Sequence, residues 1–324
     1  MPETVQTFSS PSDWKTRALG LLFALGAQLL FGTTFAANKW VINNEVDPFV
    51  LGFLRMIFAT LFLFPFFWGK RNSASWNRSD WGRAVFVGAG ACAIAMALEY
   101  VGTGLTSASN VSLIVSTEVV VAVFLSVLIL KERLYANAVI GGVLAFAGVL
   151  MVVFRDILRV DFLLGEHLAG DFLVMGSVIG WGLYTVYSKR IVLHSSPTYS
   201  LFYVSFFAAV SLGAMSAVQG LLPQILTMNW QTWLVTFYLG AFCSGLGHLL
   251  YYQALKRLPA SNVALTLALL PVFGVTFAVI LLDEALYLLQ AFGGALIVFG
   301  VIYAVWPRST RPYPSETQLH SEGN

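Results

Sequence analysis

Glu118 is the one ionisable residue in the apolar run between Val111 and Leu130, and its chemistry depends on what surrounds it. In a membrane-spanning helix rising 1.5 Å per residue it would lie about 14 Å from one end. An ionised carboxylate at that depth is costly unless it meets water or a partner. Two readings stand open. Glu118 is a proton carrier or a contact for a substrate amine, or it is a protonated, hydrogen-bonded structural carboxyl.

Arg55 and Glu99 form a second constellation. Arg55 falls seven residues into one apolar run and Glu99 five residues from the end of the next. Both are therefore expected roughly 8–10 Å below the same surface. Opposite charges at matched depth neutralise each other as a static ion pair; alternatively, the guanidinium fork receives a substrate carboxylate. Asn38 and Lys39, at the end of the first run, can join either arrangement, and Lys39 alone can snorkel to the headgroups. His248 lies deep in a later run with Gln253 beyond it, and serves either hydrogen-bonded packing or a proton relay. No second His or Cys stands near it at metal-ligand spacing, so neither a metal site nor a cofactor is expected. Trp181, Tyr184 and Tyr187 recur every three residues, with Ser188 beyond them and Phe31 and Phe35 in the matching part of the first run. Such a stripe packs helices or, facing a cavity, offers aromatic surface and phenol hydroxyls to an amphipathic solute.

The elements that must position these groups follow from composition. Hydrophobic residues make up 58% of the 324, charged residues only 10%, and the mean hydropathy is +0.77. A water-soluble domain carries roughly 25% charge. The apolar residues fall into ten runs of membrane-spanning length: 18–40, 48–68, 84–104, 109–130, 136–154, 168–188, 197–220, 233–255, 261–282 and 287–306. An all-α membrane protein of ten transmembrane helices is expected, with the lipid bilayer as its solvent. The polar stretch 1–17 reads as a tail rather than a removable signal peptide. Residues 155–167 read as an extracytoplasmic linker and the proline-bearing stretch 307–324 as a disordered tail. Cys92 and Cys243 both fall inside apolar runs and read as small buried hydrophobes, not a disulfide. A net charge of +2 points to no nucleic-acid partner.

Lysine and arginine set the expected orientation. With the N-terminus in the cytoplasm, fourteen basic residues fall inside, three (Lys39, Arg155, Arg159) outside, and Arg55 within a span. Both termini are then cytoplasmic, and the protein is multi-pass in the cell (inner) membrane.

The chain also repeats itself. Ala108-Ser109-Asn110-Val111 returns 152 residues later as Ala260-Ser261-Asn262-Val263. The same shift carries Glu132 onto Glu284, Gly141-Gly142 onto Gly293-Gly294 and Gly148 onto Gly300. A shift of 150 lays Phe31-Gly32 and Lys39 over Trp181-Gly182 and Lys189. Two copies, 18–154 and 168–306, are implied. Each copy has five spans, an odd number, so the second enters the membrane from the opposite side. Inverted repeats let two similar halves exchange conformations, which turns an outward opening into an inward one. The Gly176-x-x-x-Gly180 spacing and the paired glycines predict close helix approach. The Ser-Asn pairs at 109–110 and 261–262 read as helix N-caps.

The run Phe31-Gly-Thr-Thr-Phe-Ala-Ala-Asn-Lys39, Leu54-Arg55, and the segments Lys131-Glu132-Arg133-Leu134 and Asp283-Glu284-Ala285-Leu286 resemble the drug/metabolite transporter superfamily. More narrowly, the resemblance is to its ten-helix type with two EamA domains, and it covers about residues 18–306. It implies a cavity lined by both halves, alternating access, and export of amino acids or related metabolites. A drug or lipid-carrier exporter of the same fold is the alternative within transport. From other classes the rivals are an intramembrane enzyme, for which the sequence offers neither HExxH nor a nucleophile elbow, and a non-transporting receptor. One departure stands out: the family often carries proline soon after the position of Glu118, where this chain has Val119, while the second copy keeps Pro271. A kink in the fourth span is therefore expected to be missing.

Overall fold

The computed structural model describes residues 14–69, 76–106, 111, 114–132, 134–157, 168–274, 276 and 288–305, and among these every regular element is helical. Ten apolar helical segments follow one another, which is compatible with ten spans. The first five are α1 (Lys15–Asn43), α2 (Pro48–Trp68), α3 (Arg78–Leu105), α4 (Ile114–Leu130) and α5 (Ala136–Ile157). The second five are α6 (Leu168–Leu193), α7 (Pro197–Val218), α8 (Trp230–Arg257), α9 (Ala260–Gly274) and α10 (Leu288–Val305). Six are long and apolar enough to cross a membrane. Leu22, Phe124, Phe172, Val210 and Phe299 lie exposed on their outer faces. A bilayer, not water, is the medium in which such faces are stable.

The starts of α1, α3, α5, α7 and α9 share one face of the bundle, called here the basic face after its lysines and arginines. Helices begin where side chains can satisfy the orphan amides of a first turn. Asp47 accepts from Phe49 N at 2.8 Å ahead of Pro48, and its repeat mate Ser196 accepts from Tyr199 N at 3.2 Å ahead of Pro197. Asn77 caps α3 and Asn229, 152 residues on, caps α8.

Packing obeys the repeat. Exchanging the two copies maps the α1–α8 pair onto α6–α3 and the α2–α8 pair onto α7–α3; the α2–α7, α4–α9 and α5–α10 pairs map onto themselves. The fold is thus two inverted five-helix repeats. Glycines make the close crossings possible. A methyl group on Gly148 would meet the Gly293 carbonyl oxygen at 2.6 Å, and one on Gly300 the Gly141 oxygen at 2.6 Å, which locks α5 to α10. A methyl group on Gly180 would meet Ala95 Cβ of α3 at 2.8 Å.

Both copies bend in the same places. α3 widens to a π-helix over Phe86–Cys92 and α8 over Tyr238–Gly247, segments 152 residues apart at their starts. Such bulges re-aim side chains and recur at functional sites. α1 breaks at Thr33, α4 at Thr117 and α9 at Thr266–Leu269. In each case a threonine hydroxyl donates back to the carbonyl three residues earlier: Thr33 to Leu30 at 2.7 Å, Thr117 to Ile114 at 2.6 Å, Thr266 to Val263 at 2.7 Å. The expectation that α4 would run unkinked without proline is therefore wrong. Threonine back-bonding interrupts the ladder as proline would.

The helical backbone leading into α1 begins at Trp14. Two further expectations are corrected. Ser261 is not an N-cap: Pro259 holds that position, and the Ser261 hydroxyl donates to Glu132 Oε2 at 2.7 Å. Lys189, counted among the loop charges, is a buried residue of α6 whose Nζ donates to the carbonyls of Leu255 at 2.5 Å and Leu258 at 2.7 Å. Ser109, Asn110, Arg159, Glu284 and the 307–324 stretch lie outside the described residues.

Candidate functional site

Arg55 is held by packing before it is held by polar contacts. Gly240, in the π-segment of α8, lies so close to α2 that a methyl group there would come within 2.9 Å of the Arg55 carbonyl oxygen. Four residues on, Ser244 faces the guanidinium. Its Oγ accepts from Arg55 Nε at 3.1 Å and from Nη2 at 2.9 Å. Nη1 donates to Asn38 Oδ1 at 2.9 Å and to the Tyr100 hydroxyl. Arg55, 4% exposed, thus joins α1, α2, α3 and α8.

Glu99 is buried beside this cluster, within electrostatic range of Arg55 but not in contact with it. Among the described residues Asp80 pairs with Arg83 and lies 3.0 Å from His194 Nδ1, while no ion pair joins Arg55 to Glu99. Glu99 instead accepts from Trp181 Nε1 of α6 at 2.7 Å. The static pair weighed from the sequence is thus replaced by two separately hydrogen-bonded charges, because neutral acceptors already occupy most of the guanidinium. Four of its five N–H donors are engaged.

Trp181 and Tyr184 continue toward His248. Ring centroids lie 4.7 Å apart for Phe31–His248, 5.6 Å for Tyr184–His248 and 6.2 Å for Trp181–His248. His248 Nδ1 is 3.3 Å from the Cys243 carbonyl oxygen, which accepts from an imidazole N–H. Tyr187 points elsewhere, against Phe86 at 5.0 Å and Arg190. Lys39 leaves the cluster too, donating to the Thr103 carbonyl at 3.0 Å and so closing the end of α3.

Glu118 opens the longer part of α4, immediately after the break at Thr117. It is 9% exposed, and no donor among the described residues reaches its carboxyl group. Its charged neighbour is Glu99, and Tyr251 of α8 is within electrostatic range. Beside it, a narrow cleft separates α4 from α9, lined by Phe35, Ser116, Val119, Leu267, Leu270 and Pro271 among others. Among the described residues, the hydrogen-bonded structural carboxyl has no partner.

The structure therefore gathers Asn38, Arg55, Glu99, Trp181, Tyr184 and His248 into one cluster between the repeats, sets Glu118 near Glu99, and removes Lys39 and Tyr187. Sequence reasoning missed Tyr100 and Ser244. Tyr100 had a signal, being the neighbour of Glu99; Ser244 had only its glycine-rich surroundings. Among the described residues, no group of three or more His, Cys, Asp or Glu side chains could hold a metal ion.

This architecture matches known proteins. The family model of the EamA-like transporter family fits residues 18–154 and again 168–306. An uncharacterized transporter of Archaeoglobus fulgidus is 27% identical over 282 residues, which cover 87% of this chain and 95% of that one. A probable amino-acid metabolite efflux pump of Escherichia coli is 28% identical over 213 residues, covering 60% of this chain and 66% of the relative. A crystal structure titled only as that of a protein superposes with a TM-score of 0.71 at 20% identity, over 90% of this chain and 97% of that one. With its sequence repeat, inverted helix packing and two matched domains, the chain belongs to the EamA-like transporter family, within the drug/metabolite transporter superfamily.

Proposed function

We propose that the chain exports amino acids or closely related metabolites by alternating access, from the cell (inner) membrane, with its basic face and both termini in the cytoplasm. The observation that carries this reading is the pairing of one buried cation, Arg55, with two buried carboxyl groups, Glu99 and Glu118, between the repeats. A zwitterion needs both signs. Arg55 has one N–H free of acceptors and neutral partners that a carboxylate can displace. Glu118, lacking a donor, takes the ammonium group or a proton. The aromatic wall of Phe31, Trp181 and Tyr184 suits the apolar part of the solute. The similarity to the probable amino-acid metabolite efflux pump of Escherichia coli favours the same class.

The test is toxicity rescue. Cells are loaded with single amino acids through dipeptides, and expression of the chain should restore growth for one chemical subset, followed by counterflow of that solute in reconstituted vesicles. If no amino acid is rescued and none exchanges, the substrate class is wrong. Orientation is tested separately by single cysteines at Ser73 and Asn229 in a background lacking Cys92 and Cys243. They should react from the cytoplasm and from outside respectively.

A further inference from the structure

Besides Asn137 of α5, whose Nδ2 donates to the Ala304 carbonyl of α10 at 3.0 Å, three polar links tie the two repeats together at the basic face. Arg190 Nη2 of α6 donates to the Ile129 carbonyl of α4 at 2.7 Å. His194 Nδ1 lies 3.0 Å from Asp80 Oδ1. The third link differs in kind, because it joins the ends of α4 and α9, two broken helices that pack against each other. Lys131 ends α4 in the left-handed region (φ 55°) and turns the chain back. That turn aims the Glu132 carboxylate of the first repeat at the start of α9 in the second. Glu132 Oε1 accepts from Ala260 N at 2.7 Å; Oε2 accepts from Ser261 N at 2.9 Å and from the Ser261 hydroxyl at 2.7 Å. The receiving end is firm: Lys189, fully engaged on the Leu255 and Leu258 carbonyls, anchors the turn that leads into α9.

We propose that Glu132 is a releasable latch that holds the basic-face ends of α4 and α9 together and so keeps that side of the transporter shut. The inference rests on the alternating-access reading above. Its physical basis is the position of the carboxylate. Three charge-assisted bonds from one group make a strong crosslink, yet Glu132 itself is only half-buried, and Ala260 and Ser261, although buried, form the first turn of α9. Once the bonds open, water can solvate both the carboxylate and the freed amides. A carboxylate buried as deeply as its partners would lack that exchange. No other described contact joins the broken pair at its basic-face ends through a side-chain charge.

The test uses the full-length protein in membrane vesicles lacking Cys92 and Cys243, with two reporters. Thr185→Cys sits on α6 toward the basic face and is buried; Ser116→Cys lines the cleft toward the opposite face. Labelling by a membrane-impermeant maleimide is timed from each side. Glu132→Ala should raise the rate at Thr185→Cys from the basic face at least tenfold, and Ser261→Ala, which removes one of three bonds, two- to threefold. An unchanged rate in Glu132→Ala, with the protein present at parental level, overturns the latch. Should Glu132→Ala fail to insert, Ser261→Ala decides alone, and a rate within 1.5-fold of the parent overturns it. The second reporter separates the latch from the reading it rests on. A gain at Thr185→Cys with a matching loss at Ser116→Cys supports both. A gain with Ser116→Cys unchanged supports a closure at the basic face but removes alternating access.

Discussion

The two repeats share their mechanics and differ in their chemistry. Gly88 of α3 lies against the Val204 carbonyl of α7, as its mate Gly240 of α8 lies against the Arg55 carbonyl of α2. Lys39 donates to the Thr103 carbonyl and Lys189 to that of Leu255, 152 residues on. Yet the seats these devices create are filled differently. Arg55 corresponds to Val204, Glu99 to Tyr251, Glu118 to Leu270 and Ser244 to Cys92. Asn38 and Tyr100 share the Arg55 guanidinium, whereas their mates Ser188 and Tyr252 bond each other at 2.7 Å. Trp181 donates to Glu99, whereas its mate Phe31 only stacks near Tyr251 at 6.2 Å. Rocking two halves requires like packing in both. Binding an asymmetric solute does not require like charges in both, and one copy carries them all.

The largest effect should come from adding a methyl group at either shared seat. Gly240→Ala and Gly88→Ala each force backbone against side chain and should cost about 2–3 kcal/mol, read as a loss of Tm in detergent. Damage from one and not the other would break the mechanical symmetry. Arg55→Met tests the chemical asymmetry. Asn38 and Tyr100 can close on each other as Ser188 and Tyr252 do, so stability should fall by no more than about 2 kcal/mol. Transport of the rescued solute should fall at least about 100-fold, ~2.7 kcal/mol, while Val204→Met stays near the parent. Equal losses from both would mean that Arg55 is structural.

Trp181→Phe gives the second repeat the residue its mate already has and removes the donor to Glu99. About a tenfold rise in the half-saturating solute concentration is expected, near 1.4 kcal/mol, with little change in stability. An unaltered value would detach Glu99 from the solute. The smallest effect is expected for Glu118→Gln, which keeps shape and abolishes titration. This variant should insert normally and retain solute exchange, but lose acceleration by an imposed pH gradient. A parental response to the gradient would remove Glu118 as proton carrier and leave it as a contact for the solute amine.

Much of this was legible in the chain. Apolar runs of about 20 residues in a chain with so few charges determine helices in a bilayer, because a helix satisfies its backbone hydrogen bonds within one segment. The 152-residue offset determines the repeat, and an odd number of spans its inversion. Arg55, Glu99 and Glu118 marked the candidate site because charge is rare in apolar runs.

Tertiary structure decided which of these groups meet. Depth along a helix says nothing of azimuth, so Arg55 and Glu99, matched in depth, turned to different partners, and Tyr187 left the stripe it shares with Trp181. Nor does a single span reveal what crosses it. The carbonyls that hold Lys39 and Lys189 and the α9 amides that hold Glu132 belong to helices distant in sequence. The π-segments that aim Ser244 at Arg55 arise where glycine lets a neighbouring backbone press in. Those contacts depend on how two helices cross, and only the packed bundle determines that.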